Sequence, residues 1–135
     1  MLQKLKEIDF ETHLVISETA EKIIEHEIEG GLMEVKKFSD KVHDNTNLSS
    51  QILISSFYTE GMIISPCSMK TLATIANGYT KSLLSRAADI TLRRNGNLIL
   101  VPREKPLYQT HLKNMLNASQ AGAIEPRLWC GLTWL

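Results

Sequence analysis

Three short segments carry residue types suited to chemistry, and each follows an apolar run. Ser17 follows His13-Leu14-Val15-Ile16. Pro66-Cys67-Ser68-Met69-Lys70 follows Gly61-Met62-Ile63-Ile64-Ser65. Pro102-Arg103-Glu104 follows Asn97-Leu98-Ile99-Leu100-Val101. In an open parallel sheet, ligands sit at the carboxyl ends of the strands, so these are the places where a site would form. The second segment is the most informative. Ser68 is a natural N-cap, and the free N–H groups of a helix start favour an anion. Lys70 adds positive charge there, and Arg103 offers a planar fork to an anionic or aromatic group. The same pattern also describes a capped helix with solvated charges. Cys67 reads either as a thiol activated by the helix N-terminus or as a small buried hydrophobe. Glu27 is read on the inner side of its helix, near the end of the first strand. There it is either a cleft acid or a solvated helix-end carboxylate.

Other chemistries lack support. His13, His26, His43 and His111 show no metal-ligand spacing. Neither Gly-x-Gly-x-x-Gly nor Gly-x-x-x-x-Gly-Lys-Ser/Thr occurs, so neither standard nucleotide loop is expected. Cys67 and Cys130 are too few for a disulfide framework or a four-ligand zinc site. The 135 residues suit one domain, and 15 Lys+Arg balance 15 Asp+Glu. A net charge of zero argues against a nucleic-acid partner. No apolar run approaches the ~20 residues of a membrane span, and the N-terminus lacks signal-peptide order. The expectation is a cytoplasmic, reduced α/β domain.

The elements that must position these residues follow from patterning. Residues 1–8 have helical spacing. Residues 13–17 form a short β-branched run of the buried parallel kind. Residues 18–28 read as a helix with Ala20, Ile23, Ile24 and Glu27 near one face, stopped at Gly30-Gly31. Residues 32–50 are polar and ambiguous; Met33, Val35 and Phe38 suit a short helix, and Asp44-Asn45-Thr46-Asn47 is loop chemistry. Residues 61–65 predict a second strand ended by Pro66, because proline cannot donate to the ladder. Met69–Ala76 reads as a helix, as do residues 81–93. Residues 97–101 predict a third strand. A helix over 107–120 has Leu107, Leu112, Met115 and Leu116 as its apolar set, and Gly122-Ala123-Ile124 opens a fourth strand. Strands alternating with helices define an open parallel sheet covered on both faces. The tail, with Trp129 and Trp134, fits no element.

Several of these segments together carry a family resemblance. They are Glu11-Thr12-His13-Leu14-Val15-Ile16-Ser17, Gly61 through Ala73, Arg86-Ala87-Ala88-Asp89, Leu100 through Leu107, and His111-Leu112-Lys113-Asn114-Met115-Leu116. In this order they closely resemble the flavin prenyltransferases of the UbiX type, including their phenolic-acid decarboxylase branch. The resemblance covers roughly residues 1 to 124, read as one flavin prenyltransferase-like domain, with 125–135 as an unrelated tail. Pro-Cys-Ser-Met-Lys and Pro-Arg-Glu-x-Pro-Leu are its most specific pieces.

The resemblance implies a flavodoxin-like three-layer parallel sheet with helices on both faces, and FMN as cofactor. It implies transfer of dimethylallyl from dimethylallyl phosphate to reduced FMN, without a metal, for use by a UbiD-type decarboxylase of aromatic or unsaturated acids. It also implies a homo-oligomer, commonly a dodecamer. By position it makes Ser17, Cys67, Ser68, Met69, Lys70 and Arg103 FMN contacts. Glu27, Arg86 and Glu104 become active-site residues around the prenyl phosphate and flavin.

Departures from the pattern accompany it. The family opens with a strand and a Gly-Ala-Ser-Gly-Ala phosphate loop, and this chain is expected to begin after both. FMN binding is therefore expected to be weaker than in an intact relative. Leu53-Ile54-Ser55-Ser56-Phe57 stands where the family has Ser-Ser-Gly-Ser-Phe, and Arg93 stands where it has lysine. The family's closing Pro-rich segment is not matched. Three readings follow: an active prenyltransferase, a catalytically inactive truncated remnant, or a module that binds FMN or joins an oligomer without chemistry.

Overall fold

The computed structural model of the chain describes residues 1–126. They divide into two compact units: Met1–Gln51 with Ser82–Leu84, and the rest of the chain from Ile52. The sequence expectations about the tryptophan-bearing tail from residue 127 onward lie outside the described residues.

In the first unit, α1 (Leu2–Glu7) leads to β1 (His13–Val15), α2 (Glu18–Glu27), α3 (Gly31–Lys36) and β2 (Lys41–His43). Ser17 caps α2, its side chain accepting from Ala20 N–H. Gly30, at φ +88°, starts α3 with a left-handed turn that glycine adopts without steric cost. β1 and β2 are parallel, with His13 beside Lys41 and Val15 beside His43. The sequence reading missed β2, because Lys-Val-His has none of the apolar continuity of a buried parallel strand. Polar contacts hold this pair instead. Thr12 donates from N–H (2.7 Å) and Oγ1 (2.8 Å) to the Asp40 carboxylate. Lys41 Nζ lies 2.7 Å from Glu11.

In the second unit, β3 (Met62–Cys67) is followed by α4 (Met69–Ala76), α5 (Leu83–Arg93, whose first residues belong to the first unit), β4 (Leu98–Pro102) and α6 (Gln109–Gln120). β3 and β4 pair in parallel. Ile124 makes a single parallel bridge to Ile99, where the sequence predicts the start of a full strand. α4 packs against α6 and β4. Leu72, Leu98, Leu100 and Ala118 are wholly buried and form the centre of this core.

Pro66 does not end β3, contrary to the sequence expectation. The register shifts between Ile64 and Cys67, and proline is tolerated at such a bulge. Ile64 and Cys67 are consequently both buried although three residues apart, a spacing that would put them on opposite faces of a regular strand. Two helix faces also differ from expectation. On α2 the inner positions are Ala20, Glu21 and Ile24, while Ile23 and Glu27 are exposed. On α6, Leu112 and Leu116 are exposed and Ala118 is buried.

Candidate active site

Register places the residues of interest in the second unit at one edge. Cys67 sits opposite Pro102, so β3 and β4 finish level. Ser68-Met69-Lys70 leaves from one strand end and Arg103-Glu104 from its neighbour. Five of the sequence-predicted site residues, with Cys67, therefore share the carboxyl edge of a parallel pair, where open α/β sheets bind ligands.

The local chemistry at this edge is set by α4. Ser68 Oγ accepts from Thr71 N–H at 3.2 Å and lies 3.0 Å from Thr71 Oγ1, which fixes the helix start. The remaining first-turn N–H groups and the helix dipole favour negative charge. Lys70 and Arg103 are both exposed at this edge, so two cations stand ready beside that helix start. Glu104 is exposed as well, and its Oε1 accepts from Lys105 N–H at 3.2 Å. Met69 begins α4 half-buried. Arg86 occupies the first turns of α5, the helix that returns the chain to the start of β4.

Cys67 is not a nucleophile here. Its side chain is wholly buried, and burial together with the nearby Glu125 carboxylate pushes the thiol up to about 12. Such a thiol stays protonated at neutral pH. Of the two sequence readings, the small buried hydrophobe holds.

In the first unit, Ser17 lies just past the carboxyl end of β1. Its Oγ receives Ala20 N–H at 3.2 Å. Glu27 requires a correction. It is the last residue of α2 and is exposed, a full helix length from Ser17. Ten residues at 1.5 Å each separate the two ends by about 15 Å. The helix carries Glu27 away from the strand end that it was expected to flank.

Two residues of the second unit escaped the sequence reading. Glu125 follows the bridge residue Ile124 and so stands at a third strand end; its Oε1 is buried without a hydrogen-bond partner among the described residues, and burial raises its pKa. The strand-end rule that flagged Arg103 applies to it equally, but it was read as the start of an unrelated tail. Arg94 donates from Nη1 to the Phe57 carbonyl (2.9 Å) and from Nη2 to the Ile54 carbonyl (3.2 Å). It thereby ties down the Leu53–Phe57 segment. No sequence signal links residues so far apart. Among the described residues, no cluster of three His, Cys, Asp or Glu is placed to hold a metal ion, and no helix is long and apolar enough to cross a membrane.

A parallel α/β domain with an anion-suited carboxyl edge defines a cofactor- or phosphate-binding class of protein. Comparison with known proteins narrows the class. The Flavoprotein family model matches residues 1–133. A probable UbiX-like flavin prenyltransferase from Sedimentibacter hydroxybenzoicus is 49% identical over 114 residues, covering 84% of this chain and 60% of that protein. Among solved structures, AnUbiX (PadA1) in complex with FMN and dimethylallyl pyrophosphate superimposes with a TM-score of 0.89 at 42% identity, over 92% of this chain and 66% of that one. A dodecameric FMN-dependent UbiX-like decarboxylase from Escherichia coli O157:H7 gives 0.88 at 43% identity, over 95% of this chain and 72% of that one. The chain belongs to the flavoprotein family, in its UbiX-like flavin prenyltransferase branch, and has the flavodoxin-like fold of that branch. It spans three fifths of the length of the Sedimentibacter relative.

Proposed function

We propose that this chain binds FMN and takes part in transferring a dimethylallyl group from dimethylallyl phosphate to reduced FMN. The prenylated flavin would serve a UbiD-type decarboxylase of aromatic or unsaturated acids. The observation that carries the reading is the level ending of β3 and β4, which sets the Ser68-capped start of α4 and Lys70 beside Arg103-Glu104. That donor set suits an anionic, planar group such as a flavin, and the identity to UbiX-like proteins gives the flavin its name.

In this reading Ser68, Met69, Lys70 and Arg103 hold the flavin on the β3–β4 edge, and Cys67 lines it through its backbone. When bound, reduced FMN supplies the ring positions, N5 and C6, that accept the prenyl group. Arg86 pairs with the phosphate of the prenyl donor. Glu104 holds or moves a proton at the flavin edge. Glu27, at the far end of α2, is left out of this set. Residues 1–124 act as the prenyltransferase-like domain, assembled with further copies into a homo-oligomer. The free Cys67 thiol suits a reducing, cytoplasmic setting.

The test is titration of the purified chain with FMN, read by quenching of flavin fluorescence. Saturable binding in the micromolar range is expected. It should be followed by prenyl transfer when FMN is reduced and dimethylallyl phosphate is added. Absence of saturable quenching overturns the reading.

A further inference from the structure

Four side chains of the first unit form an unbroken hydrogen-bonded chain that the proposed chemistry does not use. His13 Nε2 lies 3.3 Å from Glu11 Oε1. His13 Nδ1 lies 2.9 Å from His43 Nε2, and the two rings stack at 5.1 Å with 11° between their planes. His43 Nδ1 lies 3.1 Å from Ser50 Oγ. β1 supplies one ring and β2 the other, on a diagonal of the parallel register. Ser50 is buried.

The direction of every hydrogen bond in this chain follows from its outer end. Glu11, drawn below the usual carboxylate range chiefly by Lys41, is ionised and can only accept. His13 Nε2 therefore carries a hydrogen. In a neutral ring His13 Nδ1 then accepts, so His43 Nε2 must donate. In a neutral His43, Nδ1 accepts, so the Ser50 hydroxyl donates to it.

We propose that Glu11, His13, His43 and Ser50 form a directional proton relay across the β1–β2 pair, in which one proton taken up by the two rings reverses the hydrogen bond to Ser50. The balance is simple. A proton added to His43 Nδ1 turns that nitrogen from acceptor to donor, and Ser50 Oγ from donor to acceptor. The hydrogen on His43 Nε2 can then cross the 2.9 Å contact to His13 Nδ1. That leaves the charge on His13, beside Glu11. His43 is the poorer place for charge, because burial, then His13 and Lys41, lower its pKa. A second proton would set two N–H groups against each other and break the contact. Glu11 and Lys41 are charged groups that act on the rings; Asp44, next in sequence to His43, is occupied by Thr46 N–H and Oγ1. Because Ser50 is buried, the chain is a switch and not a hydrolytic triad. Its output is the direction in which a buried hydroxyl points, at the end of a loop whose Asn45 accepts the first N–H groups of α5, from Leu83 and Leu84.

The test is a histidine-detected ¹H–¹⁵N titration of the full ¹⁵N-labelled chain from about pH 9 to pH 5. At high pH both rings should be the Nε2–H tautomer. On acidification His43 should become the Nδ1–H tautomer while still neutral, as its Nε2 hydrogen passes to His13 Nδ1. In Glu11→Gln, an exposed change, the tautomer change of His43 should move to lower pH, with the fold checked by the remaining amide spectrum. A His43 that keeps its Nε2–H tautomer until it is itself charged overturns the relay. So does a Glu11→Gln variant in which the tautomer change of His43 is unmoved.

Discussion

The β3–β4 pair and the β1–β2 pair are both parallel, yet different forces hold them. Around β3 and β4, Leu72, Leu98, Leu100 and Ala118 exclude water completely. In β1 and β2 no strand residue is buried. There the strands are joined by Thr12–Asp40, Glu11–Lys41 and the two stacked histidines. Apolar burial scales with area and is indifferent to pH, whereas the polar pair depends on ionisation and geometry. One strand pair is held by packing, the other by charge and hydrogen bonding.

The comparison is most severely strained by Leu100→Ala. Truncating this fully buried side chain should cost ~2–5 kcal/mol, read from urea denaturation of the chain. An equal loss from any β1 or β2 side chain would abolish the contrast. Next comes Arg103→Ala, which should weaken FMN binding roughly tenfold to a hundredfold in the fluorescence titration, with urea stability unchanged. Retained affinity would remove the β4 end from the site.

Thr12→Val sharpens the polar side. It keeps the shape and deletes the Oγ1–H donation to Asp40, for an expected loss of ~1 kcal/mol by the same denaturation. The pH dependence should have opposite signs in the two units. Asp40 is held below its usual range by Thr12, so its contribution is complete above the ordinary carboxylate range and disappears as pH falls through the depressed value. Glu125 is raised by burial, so its contribution is greatest at low pH and is lost as pH rises past the ordinary carboxylate value. Amide exchange at several pH values, followed at β1 and at Ile124, checks both. The smallest effect belongs to Lys22→Ala, whose pair with Glu18 is exposed on both sides and screened by solvent, so the urea midpoint should not move measurably.

The same contrast explains what could be read from sequence. β3, β4 and the cap at Ser68 announce themselves, because a continuous apolar run and an N-cap serine are local signals. Ser17 and the Cys67–Lys70 and Arg103–Glu104 ends were legible for the same reason. β2 was not, since its pairing energy lies in contacts to residues about thirty positions earlier. Glu27 was misplaced because helical periodicity gives a residue's face but not its distance along the axis. Arg94 and the histidine chain depend wholly on tertiary proximity. Their residues look like solvated charge and unrelated imidazoles until the strands are aligned.

The register shift in β3 has a consequence for how this protein tolerates change in length. Three steps along β3, from Ile64 to Cys67, match two along β4, from Leu100 to Pro102. One strand thus already carries a spare residue, worth ~3.3 Å of travel, folded into its bulge. Deleting Ser65 would draw that slack out and leave Cys67 in line with the pleat and still opposite Pro102. The same deletion in β4, which has no slack, would shift every residue beyond it to the opposite face. Over generations, the two strands should therefore record gaps unequally.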